Sequence, residues 1–277
     1  MMLDLSAFSS YQSVYFATVL LASIGALLSS AEYLVIRQEF KPEGVYSWKV
    51  MSSRPVYVLH SAFLRRIDFL FGYRGSIAVH ALRVLCCLWL PAAIATHAPG
   101  GIPLLLILAI SSIVLSFRNI IGTDGADQMS LLIFVALAIS APSSDSFVRN
   151  AGLVFIAGQS ILSYVVSGVA KALSPKWRSG VALQQIVNTR TYGMEPVARW
   201  LTRAPRWLNQ ALCWAVIVIE TGFFLVVFLP SPWLFFFLVW GMLFHVSNAV
   251  VMGLNNFFWS FTATYPSIIF LNHLIRR

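Results

Sequence analysis

Long apolar runs, separated by short turns or by basic connections, constrain this chain more than any other feature. A helix rises 1.5 Å per residue, so about 20 apolar residues cross the roughly 30 Å of bilayer hydrocarbon. On that measure, runs at 12–36, 76–97, 102–118, 126–142, 150–173, 208–230, 232–254 and 257–274 read as eight membrane spans. The third, fourth and eighth are short. They cross with little tilt, pair as a hairpin, or stop part-way. Only 10% of the 277 residues are charged, against about 25% in a soluble domain. The expected fold is an all-α, polytopic transmembrane helix bundle with interfacial amphipathic helices. It forms one domain over 1–277, since no repeat or low-complexity tract divides it.

The formal charge of +9 would suggest nucleic acid in a soluble protein, but here the basic residues gather in two connections, which is a topology signal. The first runs from Arg37 to Arg74. Its later part, VYVLHSAFLRRIDFLFGY, has apolar residues at helical spacing, with Arg65, Arg66 and Asp68 on the polar side. That pattern suits a helix lying in the interface, anchored by Trp48, Tyr57 and Tyr73. His60 and Asp68 read as residues of a solvated face. The second connection holds Lys176, Arg178, Arg190, Arg199, Arg203 and Arg206. It reads as two short helices, one in WRSGVALQQIVN and one ending at Trp200, with the turn GMEP between them. Such a pair can roof a cavity between spans. Four spans separate the connections, so both fall on one side, the cytoplasmic one, with the N-terminus outside. Eight spans would then leave Arg276 and Arg277 outside, against the rule. The opening MMLDLSAFSS lacks a basic n-region and reads as leading into a retained helix, not a signal peptide. Cys86, Cys87 and Cys213 match no zinc, haem or thiol-redox motif and read as small buried hydrophobes; no metal is expected.

Several ionisable side chains interrupt the apolar runs. A charge at the bilayer centre costs roughly 2.5–3.5 kcal/mol on insertion scales, so each needs a reason. Lys171 shares a helix face with Tyr164, Ser167 and Gly168, opposite Val165, Val166 and Val169. It either points into the bundle or snorkels from a helix end, since Pro175, Lys176 and Arg178 mark an interface close by. Glu220 is a site carboxylate or the partner of a bundle cation such as Arg83. His245, three before Asn248, is a site residue or a hydrogen-bonded strut between helices. Asn255 and Asn256 open the last run. Asp124 suits a helix N-cap, while Asp127, three residues on, is equally a first-turn acid or a site residue. Lys171, Glu220 and His245 together point to a shared polar cavity.

The segment YVVSGVAKALSPKW, with Gly180 three residues after its tryptophan, resembles a signature of the vitamin K-dependent γ-carboxylase-like family, also called the horizontally transferred transmembrane domain. FHVSNAVVMGLNNFFWSFTATYPS resembles that family's second signature, and GTDGADQMSLL sits where the family has a polar turn entering a helix. The resemblance covers about 120–275. It implies a membrane enzyme that uses a quinol of vitamin K or menaquinone type. In the vertebrate carboxylase a lysine deprotonates the reduced quinone, which with oxygen becomes a base strong enough to take a γ-proton from a peptide glutamate before carbon dioxide adds. The resemblance makes Lys171 that base, with His245 and Asp127 as further catalytic residues. It brings Tyr164, Trp177, Glu220, Asn248 and Asn255 to the cofactor. The implied partners are membrane lipid, a peptide or small-molecule substrate, or a membrane or periplasmic protein, in a bacterial inner (cytoplasmic) membrane. The chain departs from the vertebrate enzyme in lacking its large soluble C-terminal part and in having Asp127 where that enzyme has an assisting histidine. A non-enzymatic accessory for maturation or export of a secreted peptide is the alternative expectation, and a small-molecule transporter a third.

Overall fold

The computed structural model describes residues 9–52, 66, 68–119 and 124–276. Among them every regular element is helical. The α-helices longer than four residues are α1 (Tyr11–Val35), α2 (Tyr73–Ala95), α3 (Gly101–Arg118), α4 (Gly125–Ser140), α5 (Ser146–Leu173), α6 (Ala182–Val187), α7 (Glu195–Arg203), α8 (Arg206–Thr221), α9 (Ser231–Met252), α10 (Asn255–Thr262) and α11 (Tyr265–Ile275), with 3₁₀ turns at Gly222–Val227 prolonging α8. By length and composition, six segments among the described residues can cross a membrane: α1, α2, α3, α5, α8 with its prolongation, and α9. The chain is thus an all-helical, polytopic membrane protein.

Two of the eight expected spans, both expected to be short, are not among these six. The fourth is α4, apolar but only 16 residues, or about 24 Å, short of the hydrocarbon thickness. The eighth is broken into α10 and α11 at Ala263–Thr264. Pro266, in the first turn of α11, has no N–H to donate backward. The Thr264 hydroxyl bonds at the break to the Phe261 carbonyl (2.7 Å) and to the Ser160 hydroxyl of α5 (2.8 Å).

The helices group into two compact units, Phe16–Gly152 and Met1–Tyr15 with Leu153–Arg277. In the unit Phe16–Gly152, α3 packs against α2 and α4, burying Leu105, Leu108, Ile133, Phe134 and Leu137 completely. Two arginines are buried there. Arg83 sits near the middle of α2, where a bare charge costs about 2.5–3.5 kcal/mol. Hydroxyls offset part of that: Nε donates to Ser30 Oγ of α1 (3.2 Å), and Nη1 lies 2.8 Å from each of the Ser111 and Ser112 hydroxyls of α3. Arg118, the last residue of α3, is wholly buried. It donates to the Phe71 carbonyl (3.1 Å), Ser76 Oγ (2.6 Å), Asn119 Oδ1 (2.8 Å) and the Tyr46 carbonyl (2.7 Å), so it staples the first connection onto the helix ends. The interfacial helix expected over 56–73 falls mostly outside the described residues, as does His60. Of its flanks, Trp48 donates its indole N–H to Asp68 (2.6 Å) and packs on Phe71.

In the other unit the two short helices expected in the second connection are α6 and α7. Val187, Ala198 and Leu201 form a small core there, backed by Leu183, Val197, Leu212 and Val251. The apolar stripe of α7 is therefore used against protein, and Arg199, Trp200 and Arg203 face outward. Asn272 of α11 donates to the carbonyls of Val226 (2.7 Å), Val227 (3.2 Å) and Leu229 (2.9 Å), closing the end of the α8 segment. Gly253, at φ +70°, ends α9 in the left-handed region that a side chain disfavours, and Leu254 N bonds back to the Asn248 carbonyl. That turn brings α10 back along α9 and sets the next site.

Candidate functional site

Residues 164, 167 and 171 recur at helical spacing on α5, and the structure puts all three on the wall of one cavity of about 180 Å³. Glu220 of α8 and His245 and Asn248 of α9 complete its polar lining, and Phe244, Phe257 and Phe261 its aromatic wall. Gly168 makes the arrangement possible. It abuts the Thr221 backbone so closely that α5 and α8 meet there without a side chain between them. One turn on, Lys171 Nζ lies 2.6 Å from Glu220 Oε2. The lysine side chain is 18% exposed and the glutamate 3%. Glu220 therefore pairs with Lys171, not with the Arg83 that the sequence offered. The ammonium also stands 5.3 Å from the centre of the Trp177 ring, a cation–π distance.

Lys171 occupies the last turn of α5. That helix, with 28 residues, is about 42 Å long and exceeds the hydrocarbon by a turn or more at its ends. The lysine therefore stands near the interface, closer to the snorkelling expectation than to the bilayer centre. It still points at a carboxylate on a cavity wall, not freely into water. As an ammonium it has three donors and no lone pair, so it acts as a base only once its proton has passed to Glu220.

About 10 Å deeper along α5, Tyr164 is buried. Its hydroxyl lies 2.7 Å from His245 Nε2 and 3.1 Å from the Tyr265 hydroxyl. Its ring stacks on Phe223 at 3.9 Å, and the His245 ring stacks on Phe261 at 4.7 Å. His245 is thus a strut between α5 and α9, as one of its two expected readings had it. Yet Nδ1, on the other side of the ring, is buried with no hydrogen-bond partner among the described residues. In either neutral tautomer that atom is a donor or an acceptor in need of one. Gly241, one turn before His245, leaves room for the phenols: a methyl there would lie 2.5 Å from the Tyr265 oxygen and 3.1 Å from that of Tyr164.

Of the expected site residues, Lys171, Glu220, His245, Tyr164 and Asn248 come together here, with Trp177 beside the lysine. Asn255 does not line the cavity, although Leu254 and Phe257 on either side of it do. Asp127 does not line it either. It lies in the unit Phe16–Gly152, in the first turn of α4, where the Asp124 carboxylate accepts from its N–H (3.0 Å) and that of Ala126 (2.9 Å). The positive helix end suits both acids, and Asp127 also acts by charge on Tyr33 and Arg83. Sequence reasoning missed Tyr265, Gly241 and Phe261. The only signal for them is that Gly241 stands four residues before His245, on the same face. Among the described residues no group of three His, Cys, Asp or Glu side chains is placed to hold a metal ion. No protein-family model matches the chain, and no characterised protein or solved structure matches it either.

Proposed function

We propose that this cavity is the reaction pocket of an integral-membrane enzyme of the vitamin K-dependent carboxylase-like kind, which uses a quinol to modify a peptide or a small molecule. The observation that carries the proposal is the Lys171–Glu220 pair on the wall of an aromatic cavity that also holds the unpartnered Nδ1 of His245. The residues fit the ring of a quinol. A space of about 180 Å³ suits one small ring system, since an engineered cavity of about 150 Å³ holds benzene. Phe244, Phe257 and Phe261 offer faces for stacking, and His245 Nδ1 offers a hydrogen bond to a ring oxygen. When bound, the quinol supplies reducing equivalents toward oxygen and, from that reaction, a strong base. Within the pocket Glu220 takes up the lysine proton, and the free amine of Lys171 then accepts one from the ligand. The His245–Tyr164–Tyr265 chain, with Tyr164 at its centre, fixes the imidazole so that Nδ1 stays aimed. Phe223 and Phe261 keep that lower part dry. The same proposal includes the finer topology of eight crossings, with α4 and the α10–α11 pair as the additional two, in a bacterial cytoplasmic membrane.

The test is oxygen-dependent oxidation of menaquinol by the purified protein in lipid nanodiscs, followed by absorbance. Wild type is expected to turn over, and K171M/E220M, which removes the pair but keeps the volume, is expected to be inactive while folded. Turnover that survives in K171M/E220M removes Lys171 as the base. A second reading, a non-enzymatic accessory for a secreted peptide, is favoured by the exposed second connection, where six exposed basic residues face outward against one acid, Glu195. It predicts no quinol turnover by wild type and a stably copurifying partner that K171M/E220M retains.

A further inference from the structure

Arg83 and His80 are buried on one face of α2, three residues apart, and neither takes part in the pocket described above. Facing them on α1 are Ser30 and Tyr33, also three apart. The two helices meet in two rungs, Arg83 to Ser30 and His80 against Tyr33, whose rings stack at 4.8 Å and 28°. Arg83 lies ten residues from the start of α2, about 15 Å into a helix of about 34 Å. An ionisable group at that depth marks a functional site by default.

The serine and carbonyl partners of Arg83 occupy Nε and Nη1; among the described residues Nη2 makes no hydrogen bond. No carboxylate lies within ion-pair distance of it among the described residues, and of the acids only Asp127 acts on it by charge, at longer range. His80 is 1% exposed, and neither of its ring nitrogens has a hydrogen-bond partner among the described residues. Arg83 and Arg118 both act on it electrostatically. A clamp holding α1, α2 and α3 together explains the serine bonds. It explains neither the spare guanidinium nitrogen nor a buried imidazole with both nitrogens idle, since phenylalanine would stack on Tyr33 equally well.

We propose that Arg83, His80 and Tyr33 form a receptor for a carboxylate group in the interior of the unit Phe16–Gly152. The groups without a hydrogen-bond partner among the described residues are donors, two N–H of Nη2 and one imidazole N–H in either tautomer, and the Tyr33 phenol, whose ring stacks on the imidazole, is a further donor. They surround a fixed positive charge, so their complement is an anion that only accepts. A carboxylate has two oxygens, one for the guanidinium and one for the ring donors, and a charge at close range, where Arg83 otherwise meets only Asp127 from further off, an acid that with Asp124 also acts on Tyr33. The carboxylate comes either from a small water-soluble acid or from a membrane-soluble fatty acid.

The test is thermal unfolding of the purified full-length protein in detergent, read by tryptophan fluorescence. Sodium acetate is compared with sodium chloride at equal ionic strength, and decanoate with decanol. A saturable rise in Tm with acetate or with decanoate is expected, and the one that acts identifies the source. In H80F, which preserves the stacking on Tyr33 and is expected to unfold at the wild-type temperature without ligand, half-saturation is expected to need at least about tenfold more carboxylate, because one hydrogen bond to a charged group is lost. R83Q is expected to abolish the rise. Should R83Q fail to fold, H80F decides alone. A rise no larger than the chloride and decanol controls, or one unchanged in H80F, overturns the proposal.

Discussion

Gly168→Ala probes the closeness of α5 and α8, on which the Lys171–Glu220 contact depends. The added methyl would lie 2.6 Å from the Thr221 hydroxyl oxygen and 2.8 Å from the Glu220 carbonyl carbon, and closer still to the Thr221 nitrogen. Carbon contacts settle near 3.5–4.0 Å, so the two helices must part by about 1 Å at that level. Lys171 lies one turn further on the same face, so its 2.6 Å contact opens to about 3.6 Å, beyond hydrogen-bond range. At an effective dielectric of about 20, that stretch gives up about 2 kcal/mol of attraction. Overpacking adds about 1–3 kcal/mol, and the better helix propensity of alanine returns about 1 kcal/mol. Gly168→Ala is therefore expected to cost about 2–4 kcal/mol in reversible unfolding of the purified protein. Repeating it in K171M/E220M separates the terms, because packing and propensity act in both backgrounds and the ion pair in one. A coupling of about 2 kcal/mol is expected. A coupling under about 0.5 kcal/mol, the level at which independent sites add, would refute the link between the glycine and the pair.

Gly241→Ala drives a methyl against the Tyr265 and Tyr164 hydroxyls and is expected to cost about 1–3 kcal/mol in the same unfolding assay; Tyr265→Phe in the same chain, by removing the nearer oxygen, is expected to recover most of it. Lys171→Met alone strands a carboxylate that is 3% exposed and is expected to destabilise by about 3 kcal/mol, whereas K171M/E220M regains most of that loss, measured as the shift in unfolding midpoint. Asn272→Leu leaves the carbonyls of Val226, Val227 and Leu229 without their shared donor and is expected to cost about 1–3 kcal/mol, checked by thermal unfolding.

Lys171, Glu220 and His245 are legible in the sequence because a polar group inside an apolar run is expensive wherever the run ends up. The face shared by Tyr164, Ser167, Gly168 and Lys171 is legible because helical periodicity needs no tertiary information. The partner of Glu220 is not, since Arg83 and Lys171 are equally available cations until helix packing chooses. Gly241 and Tyr265 are ordinary residues for a membrane helix, and only the meeting of three helices gives them a role. Arg118 escapes notice for a different reason: at the end of its run it breaks no hydrophobic pattern, though in the fold it is wholly buried. The eighth run is continuous to a hydropathy window. Its break comes from Pro266 and the Thr264 hydroxyl, which act at single positions that a window averages away. Motif position alone places Asp127 among the catalytic residues, whereas in the fold it stands in the first turn of α4 and does not line the cavity.

Depth along the helices separates what the two intramembrane cations can do. Lys171 stands in the last turn of α5, 18% exposed, with a carboxylate 2.6 Å away. A proton can pass between the two and from there to interfacial water, so this charge is exchangeable. Arg83 stands near the middle of α2, bonded to serine hydroxyls and a backbone carbonyl, and a guanidinium does not release its proton in a protein. Its charge is fixed, Asp127 acts on it only at longer range, and on the reading proposed above an anion brought to it answers it at close range. On the two readings proposed above, proton transfer would belong to the site of Lys171, and charge recognition to that of Arg83. A substitution that exchanged the two residue types would be expected to abolish each function without creating the other. A lysine at 83 has no carboxylate within reach to relay its proton. An arginine at 171 would hold Glu220 in a bidentate pair and leave nothing free to accept one.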